Sequence, residues 1–255
     1  AAVVVTIGIY ALAAIFNLRI PDTGARYPGR TSNPFTLLRI FWHCNLTLWR
    51  DPLGQIALAV TTLFWGAGAS LQFLVLKWAE HQLDMRLDQA TRLQGVVALG
   101  VALGAVLAAS WVPLRRSLRV LPLGVAMGFA IMLMTIVHNE AMAMLVLLVI
   151  GILSGFFVVP MNALLQHRGY VVMSAGNSIA VQNFNENLNI LVMLSFYALM
   201  LWLDLPINTV AVLFGLAVAS VMLLVILWHR RNQRRFDSEV HIGEDPRHGN
   251  IPTPH

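Results

Sequence analysis

Charge is scarce in this chain of 255 residues: Asp, Glu, Lys and Arg together make up 11% of it, where a soluble domain carries about a quarter. Against 58% hydrophobic residues and a mean hydropathy of +0.70, that leaves too little polar surface to cover a water-soluble fold. Cysteine is almost absent too. Cys44 alone permits no internal disulfide and no cysteine metal cluster. Hydrolase and acyltransferase signatures are missing. There is no GxSxG, no HExxH and no histidine followed five residues later by aspartate, since His43 meets Leu48 and His81 meets Arg86. A soluble enzyme, a disulfide-stapled module and a disordered chain are excluded, and an integral membrane protein with no catalytic residues, metal site or cofactor is expected.

What the chain has in abundance is uncharged runs of spanning length, about 20 residues each. They are 1–18, 52–76, 93–114, 120–139, 141–167, 205–229 and 176–203, the last interrupted only by Glu186. The reading is an all-α bundle of about seven transmembrane helices. The first run has no basic lead and no small-residue cleavage site before Arg19, so it is not a signal peptide; it reads as a helix already under way at Ala1.

Basic residues are unevenly shared between the connecting segments. The stretch 19–51, the turn 115–119, Arg168 and the C-terminal tail hold fourteen of the seventeen; the opposite side keeps Lys77, Arg86 and Arg92. That asymmetry places the C-terminus in the cytoplasm. It also explains the net charge of +5 without nucleic acid, because no basic surface with interleaved aromatics accompanies it. Residues 19–51 form a cytoplasmic loop. Within it, Asn33 and Pro34 start a helix on which Phe35, Leu38, Trp42, Leu46 and Trp49 recur at helical spacing. This helix either lies on the membrane face or tucks under the bundle as a connector. Residues 230–255 open with HRRNQRR and read as an anchor followed by a disordered tail.

Three spans carry GxxxG, at Gly100/Gly104, Gly124/Gly128 and Gly151/Gly155, and Gly215/Ala219 repeats the spacing. Small residues let helix backbones meet where lipid supplies no hydrophobic drive. Candidate functional residues come from the polar spans. Pro160 interrupts one run, with Asn162 and Gln166 on one face just beyond it. On 176–203, Gln182, Asn183, Glu186 and Asn189 share a facet, and Glu186 falls near the midplane, where a carboxylate costs about 2.5–3.5 kcal/mol on insertion scales. Its functional reading is a binding group; its structural reading is a carboxyl protonated or held by amides to fix packing. Trp65, within Phe64-Trp65-Gly66-Ala67-Gly68, and Gln72 complete the set; aromatic-plus-glycine text in mid-span is either a cavity wall or a packing contact.

FWGAG at 64–68, GFFVVPMNALLQHRG at 155–169 and SAGNSIAVQN at 174–183, followed by Glu186, resemble the bacterial lysophospholipid transporters of the major facilitator superfamily. The resemblance spans nearly the whole chain. It implies a twelve-helix parent of which this chain is the last seven helices: a truncated helix at 1–18, then a six-helix half at 52–229 whose missing partner is the N-terminal half. It further implies movement of lysophospholipids, chiefly lysophosphatidylethanolamine, to the inner leaflet of the cytoplasmic membrane, where an acyltransferase/acyl-carrier-protein synthetase reacylates them. Trp65, Gln72, Asn162, Gln166, Gln182, Asn183, Glu186 and Asn189 are then the expected substrate-binding residues. Some members carry a basic residue where Gln72 stands. A facilitator moving another amphiphile or drug is the alternative, and a scaffold subunit a third.

Overall fold

The computed structural model describes residues 2–19, 33–235 and 242. Every regular element among them is helical: α1 (Ala2–Asn17), α2 (Pro34–Arg50), α3 (Gly54–Gln82), α4 (Leu87–Trp111), α5 (Leu121–Leu133), α6 (Glu140–Val172), α7 (Ala175–Trp202) and α8 (Ile207–Arg235). A 3₁₀ segment, Leu114–Val120, leads into α5 and another, Met134–Ile136, leaves it. Residues 20–32 of the expected loop, and the tail after Arg235 apart from residue 242, lie outside the described residues.

The chain divides into two compact units, residues 1–39 and 40–255. The first holds α1, whose described side chains are exposed and almost wholly apolar, and the start of α2. Asn33 begins α2 as its sequence suggests, Oδ1 accepting from the Phe35 N–H at 3.0 Å.

The second unit is a six-span bundle. The Gly54–Gln82, Leu87–Trp111, Leu114–Ile136, Glu140–Val172, Ala175–Trp202 and Ile207–Arg234 segments are each long and apolar enough to cross a membrane. With the 16-residue α1 as a shorter apolar helix, the count agrees with the expected bundle. Polar residues set several boundaries. Asn139 caps α6 by accepting from Met142 N–H at 2.8 Å, and Ser174 caps α7 from Asn177 N–H at 3.4 Å. At the opposite end of α3 and α7 the chain turns through Asp84 and Asp204, at φ 50° and 51°, a left-handed conformation that aspartate tolerates. Several boundaries differ from expectation: α3 continues past 76 to Gln82, and α4 begins at Leu87, before 93. α6 continues to Val172, so Arg168 is helical and not in a turn, and α8 continues through the basic run to Arg235.

The glycine motifs meet two by two. A Cβ on Gly100 would lie 3.0 Å from the Gly151 Cα, and one on Gly151 would lie 3.0 Å from the Gly100 Cα, so α4 and α6 cross backbone to backbone there. A Cβ on Gly128 would lie 2.7 Å from the Gly215 carbonyl oxygen and 2.8 Å from the Ala219 Cβ, fixing α5 on α8 in the same way. The helix partnerships follow one exchange rule, α3 for α6, α4 for α7 and α5 for α8. Under it the α4–α6 contact maps onto α7–α3, and α5–α6 onto α8–α3. Two spans lie between the members of each exchanged pair, so in an up-and-down bundle the two three-helix repeats run in opposite directions. The deepest element is α3, while α4 and α7 are the least enclosed.

Candidate functional site

The centre of the site is the polar facet of α7. Helical spacing brings Gln182, Glu186 and Asn189 to one side of the helix, and the neighbours on that side are α6 and α3. Gln182 Nε2 donates to Glu186 Oε1 at 2.8 Å and to Asn162 Oδ1, on α6, at 3.3 Å. One turn further along, Asn189 Nδ2 donates to the Thr62 carbonyl on α3 at 2.8 Å. Gly66 makes room for this. A Cβ there would collide with the Asn189 amide and come within 2.9 Å of Met193, so the FWGAG glycine is a docking notch for α7.

Glu186 is buried, with 8% of its surface accessible. It lies about 16 Å into a helix of about 42 Å, at 1.5 Å per residue. Among the described residues, Gln182 is its hydrogen-bond partner, and no Lys, Arg or His nitrogen stands within 4.0 Å. Buried carboxylates are ordinarily paired with a cation or neutralised. The cluster therefore offers an acceptor for a cation or a proton, flanked by Asn162, whose Nδ2 can donate to an anion, while both N–H groups of Gln182 are already given to Glu186 and Asn162.

The other four expected residues stand outside the cluster. Trp65 is exposed beside Phe64, their rings edge to face at 5.5 Å. Gln72 and Gln166 present exposed side chains; position 72 reaches α4 through its carbonyl, which accepts from Gln94 Nε2 at 2.7 Å. Asn183 is exposed, and its carbonyl accepts from Asn187 Nδ2 at 2.7 Å. Exposed amides on spanning helices require water or protein beside them, because hydrocarbon cannot satisfy them.

Two polar connections escaped the sequence reading. Asn185, buried next to Glu186, accepts from Trp49 Nε1 at 3.1 Å and donates to Asn45 Oδ1 at 2.8 Å, while Trp49 stacks on Trp228 with centroids 6.5 Å apart. These contacts seat the second half of α2 on α7 and α8. The other connection is a buried ion pair. Arg168 Nε and Nη2 donate to Asp51 Oδ2 and Oδ1 at 3.0 and 2.5 Å, with side chains only 10% and 8% accessible. Asp51 Oδ2 also accepts from Gly54 N–H at 2.7 Å, so one carboxylate both starts α3 and ties it to the end of α6. An aspartate three residues before an apolar helix is a capping signal that could have suggested the first bond. Nothing in the sequence pairs it with Arg168.

No family model matches the chain, and no solved structure matches it. Among curated proteins it is 38% identical over 225 residues to the lysophospholipid transporter LplT of Escherichia coli O157:H7, covering 88% of this chain and 56% of that protein. It is 43% identical over 201 residues to the lysophospholipid transporter LplT of Yersinia enterocolitica, covering 78% of this chain and 50% of that one. The chain thus spans about half the length of the relatives it matches. Over the stretch it shares with them, the chain is a relative of the bacterial proteins named lysophospholipid transporter LplT.

Proposed function

We propose that this chain supplies one half of a facilitator-type transporter that moves lysophospholipids, such as lysophosphatidylethanolamine, to the inner leaflet of the bacterial cytoplasmic membrane for reacylation. The observation that carries the reading is the buried, cation-free carboxylate of Glu186, held by Gln182 and Asn162 at mid-depth where α7 meets α3 and α6. It sits in a chain whose relatives are named as transporters of this substrate. Transporters bind at the midplane between repeats or halves, where polar helix faces interrupt apolar ones. A zwitterionic headgroup suits the cluster, its ammonium at Glu186 and its phosphate on the Asn162 amide. The exposed Trp65, Gln72, Gln166 and Asn183 are placed on the face toward the other half, which completes the cavity.

In this reading residues 52–229 are the transporter half, 19–51 a cytoplasmic linker carrying α2, and 230–255 a cytoplasmic tail. The Asp51–Arg168 end of the bundle faces the cytoplasm, as the bias of basic residues supports. The protein translocates its substrate and does no covalent chemistry; an acyltransferase/acyl-carrier-protein synthetase acts on what it delivers.

The test is transport by the whole protein in proteoliposomes, comparing lysophosphatidylethanolamine with a cationic dye and with a single-chain lipid lacking phosphate. Saturable movement of the lysophospholipid, competed only by its own class, is expected. Preferential movement of the dye would replace this reading with a transporter of another amphiphile.

A further inference from the structure

A cavity of about 460 Å³ opens where the ends of α3 and α7 meet the start of α4. Phe73, Tyr197 and Leu201 contribute apolar wall, and Lys77, Glu80 and Arg86 bring charge to it. Tyr197 lies eleven residues beyond Glu186 on α7, about 16 Å further along the helix, so this cavity is separate from the Glu186 cluster. It is at the end of the bundle opposite the Asp51–Arg168 pair.

The distribution of charge marks it out. Lys77 is the only lysine in the chain, and Lys77, Arg86 and Arg92 are the only basic residues between Arg50 and Arg115. The other connections at this end, after α5 and after α7, carry Glu140 and Asp204 but no Lys or Arg. On the non-cytoplasmic side Lys and Arg are disfavoured, yet two of the three present there line a single cavity. Both face solvent. Lys77 Nζ stands 3.2 Å from Glu80 Oε2, and Arg86 grips Asp88 at two points, Nε to Oδ1 at 3.1 Å and Nη2 to Oδ2 at 2.8 Å, with every one of these side chains at least 44% accessible. A single exposed lysine pair contributes little, so Lys77 can turn to a phosphate as a compact charge, while Arg86 must exchange a two-point carboxylate contact for a two-point phosphate contact. Glu80 is then left to meet an amine.

We propose that this cavity is a loading site for a single-chain phospholipid of the outer leaflet. The phosphate lies between Lys77 and Arg86, the headgroup amine faces Glu80, and the first part of the chain runs along Phe73 and Tyr197. A volume at the lower end of the usual range of about 300–1,000 Å³ for ligand pockets suits a headgroup with the start of one chain. The proposal rests on the substrate class and orientation given above and adds a second binding position, reached before Glu186.

The experiment places the whole protein in phosphatidylcholine nanodiscs with lysophosphatidylethanolamine carrying a diazirine near the glycerol, and maps the crosslinks. Crosslinks on the peptides around Phe73–Arg86 and Tyr197–Leu201 are expected, competed by unlabelled lysophosphatidylethanolamine and not by monoacylglycerol. They fall tenfold or more in the Lys77→Gln/Arg86→Gln protein. They persist in Lys77→Arg, and in Arg92→Gln, which changes the third basic residue at that end. Crosslinks confined to the region of Glu186 overturn the loading site and leave the transport reading standing. Equal competition by monoacylglycerol overturns phosphate recognition and with it the proposal. The absence of any competed crosslink, together with no transport in proteoliposomes, overturns both readings.

Discussion

Asp51 has two tasks, capping α3 and holding Arg168, and both are done out of water. Removing one member of a buried pair strands the other charge at a cost of about 3–5 kcal/mol. Arg168→Leu is therefore expected to lower the Tm of the purified protein sharply, and Asp51→Leu/Arg168→Leu to recover part of the loss, since the double change leaves no orphan charge. Thermal unfolding of the two variants in one detergent checks this; equal Tm values for wild type and Arg168→Leu would show that the pair bears no load. Gly66 poses a second test at this scale. A side chain there displaces Asn189 from the Thr62 carbonyl, so Gly66→Val is expected to destabilise the α3–α7 contact, whereas Gly68→Ala, where an added Cβ meets nothing within 4 Å, leaves Tm unchanged. Spacing put Gln182, Asn183, Glu186 and Asn189 on one facet; three of them meet α3 and α6 or one another, while Asn183 stays exposed at the edge, because helical geometry fixes a side only to within a residue. Asn185 was not legible in this way: it points away from that facet, and its partners Asn45 and Trp49 lie 140 and 136 positions distant. Periodicity cannot reveal contacts of that range.

Elements were easier to read than their partners. Long apolar runs located all six spans of the bundle, with ends displaced by a few residues where polar groups extend a helix, as at Arg168 and along α8. The glycine motifs announced close packing but not who meets whom; the structure pairs α4 with α6 and α5 with α8. A bulky residue at Gly151 must push two backbones apart. Gly151→Leu is expected to abolish recovery of a monodisperse protein by size-exclusion chromatography, and Gly95→Ala, at an open position, to preserve it. The sequence left two readings of α2 side by side. Its second half seats Cys44, Asn45, Leu48 and the stripe residue Trp49 on the bundle, while Trp42 and Leu46 of the same stripe stay accessible.

At the scale of the molecule, two inverted three-helix repeats place α3 and α6 at the centre, and α7 brings its amides to both. The proposed orientation rests on the bias of basic residues. In intact cells an impermeant thiol reagent is expected to label Asp204→Cys and to spare Arg116→Cys, native Cys44 being buried; the opposite pattern would invert the topology. The most direct measurement concerns Glu186, whose carboxylate is buried without a cation. Glu186→Gln preserves size and hydrogen bonding and removes only the charge or proton. A charge-assisted contact is worth about 1.5–3 kcal/mol. Initial rates of lysophosphatidylethanolamine translocation by the whole protein, wild type and Glu186→Gln at matched reconstitution, are expected to differ tenfold or more. Equal rates would remove Glu186 from the transport path and leave the amide facet of α7 as packing.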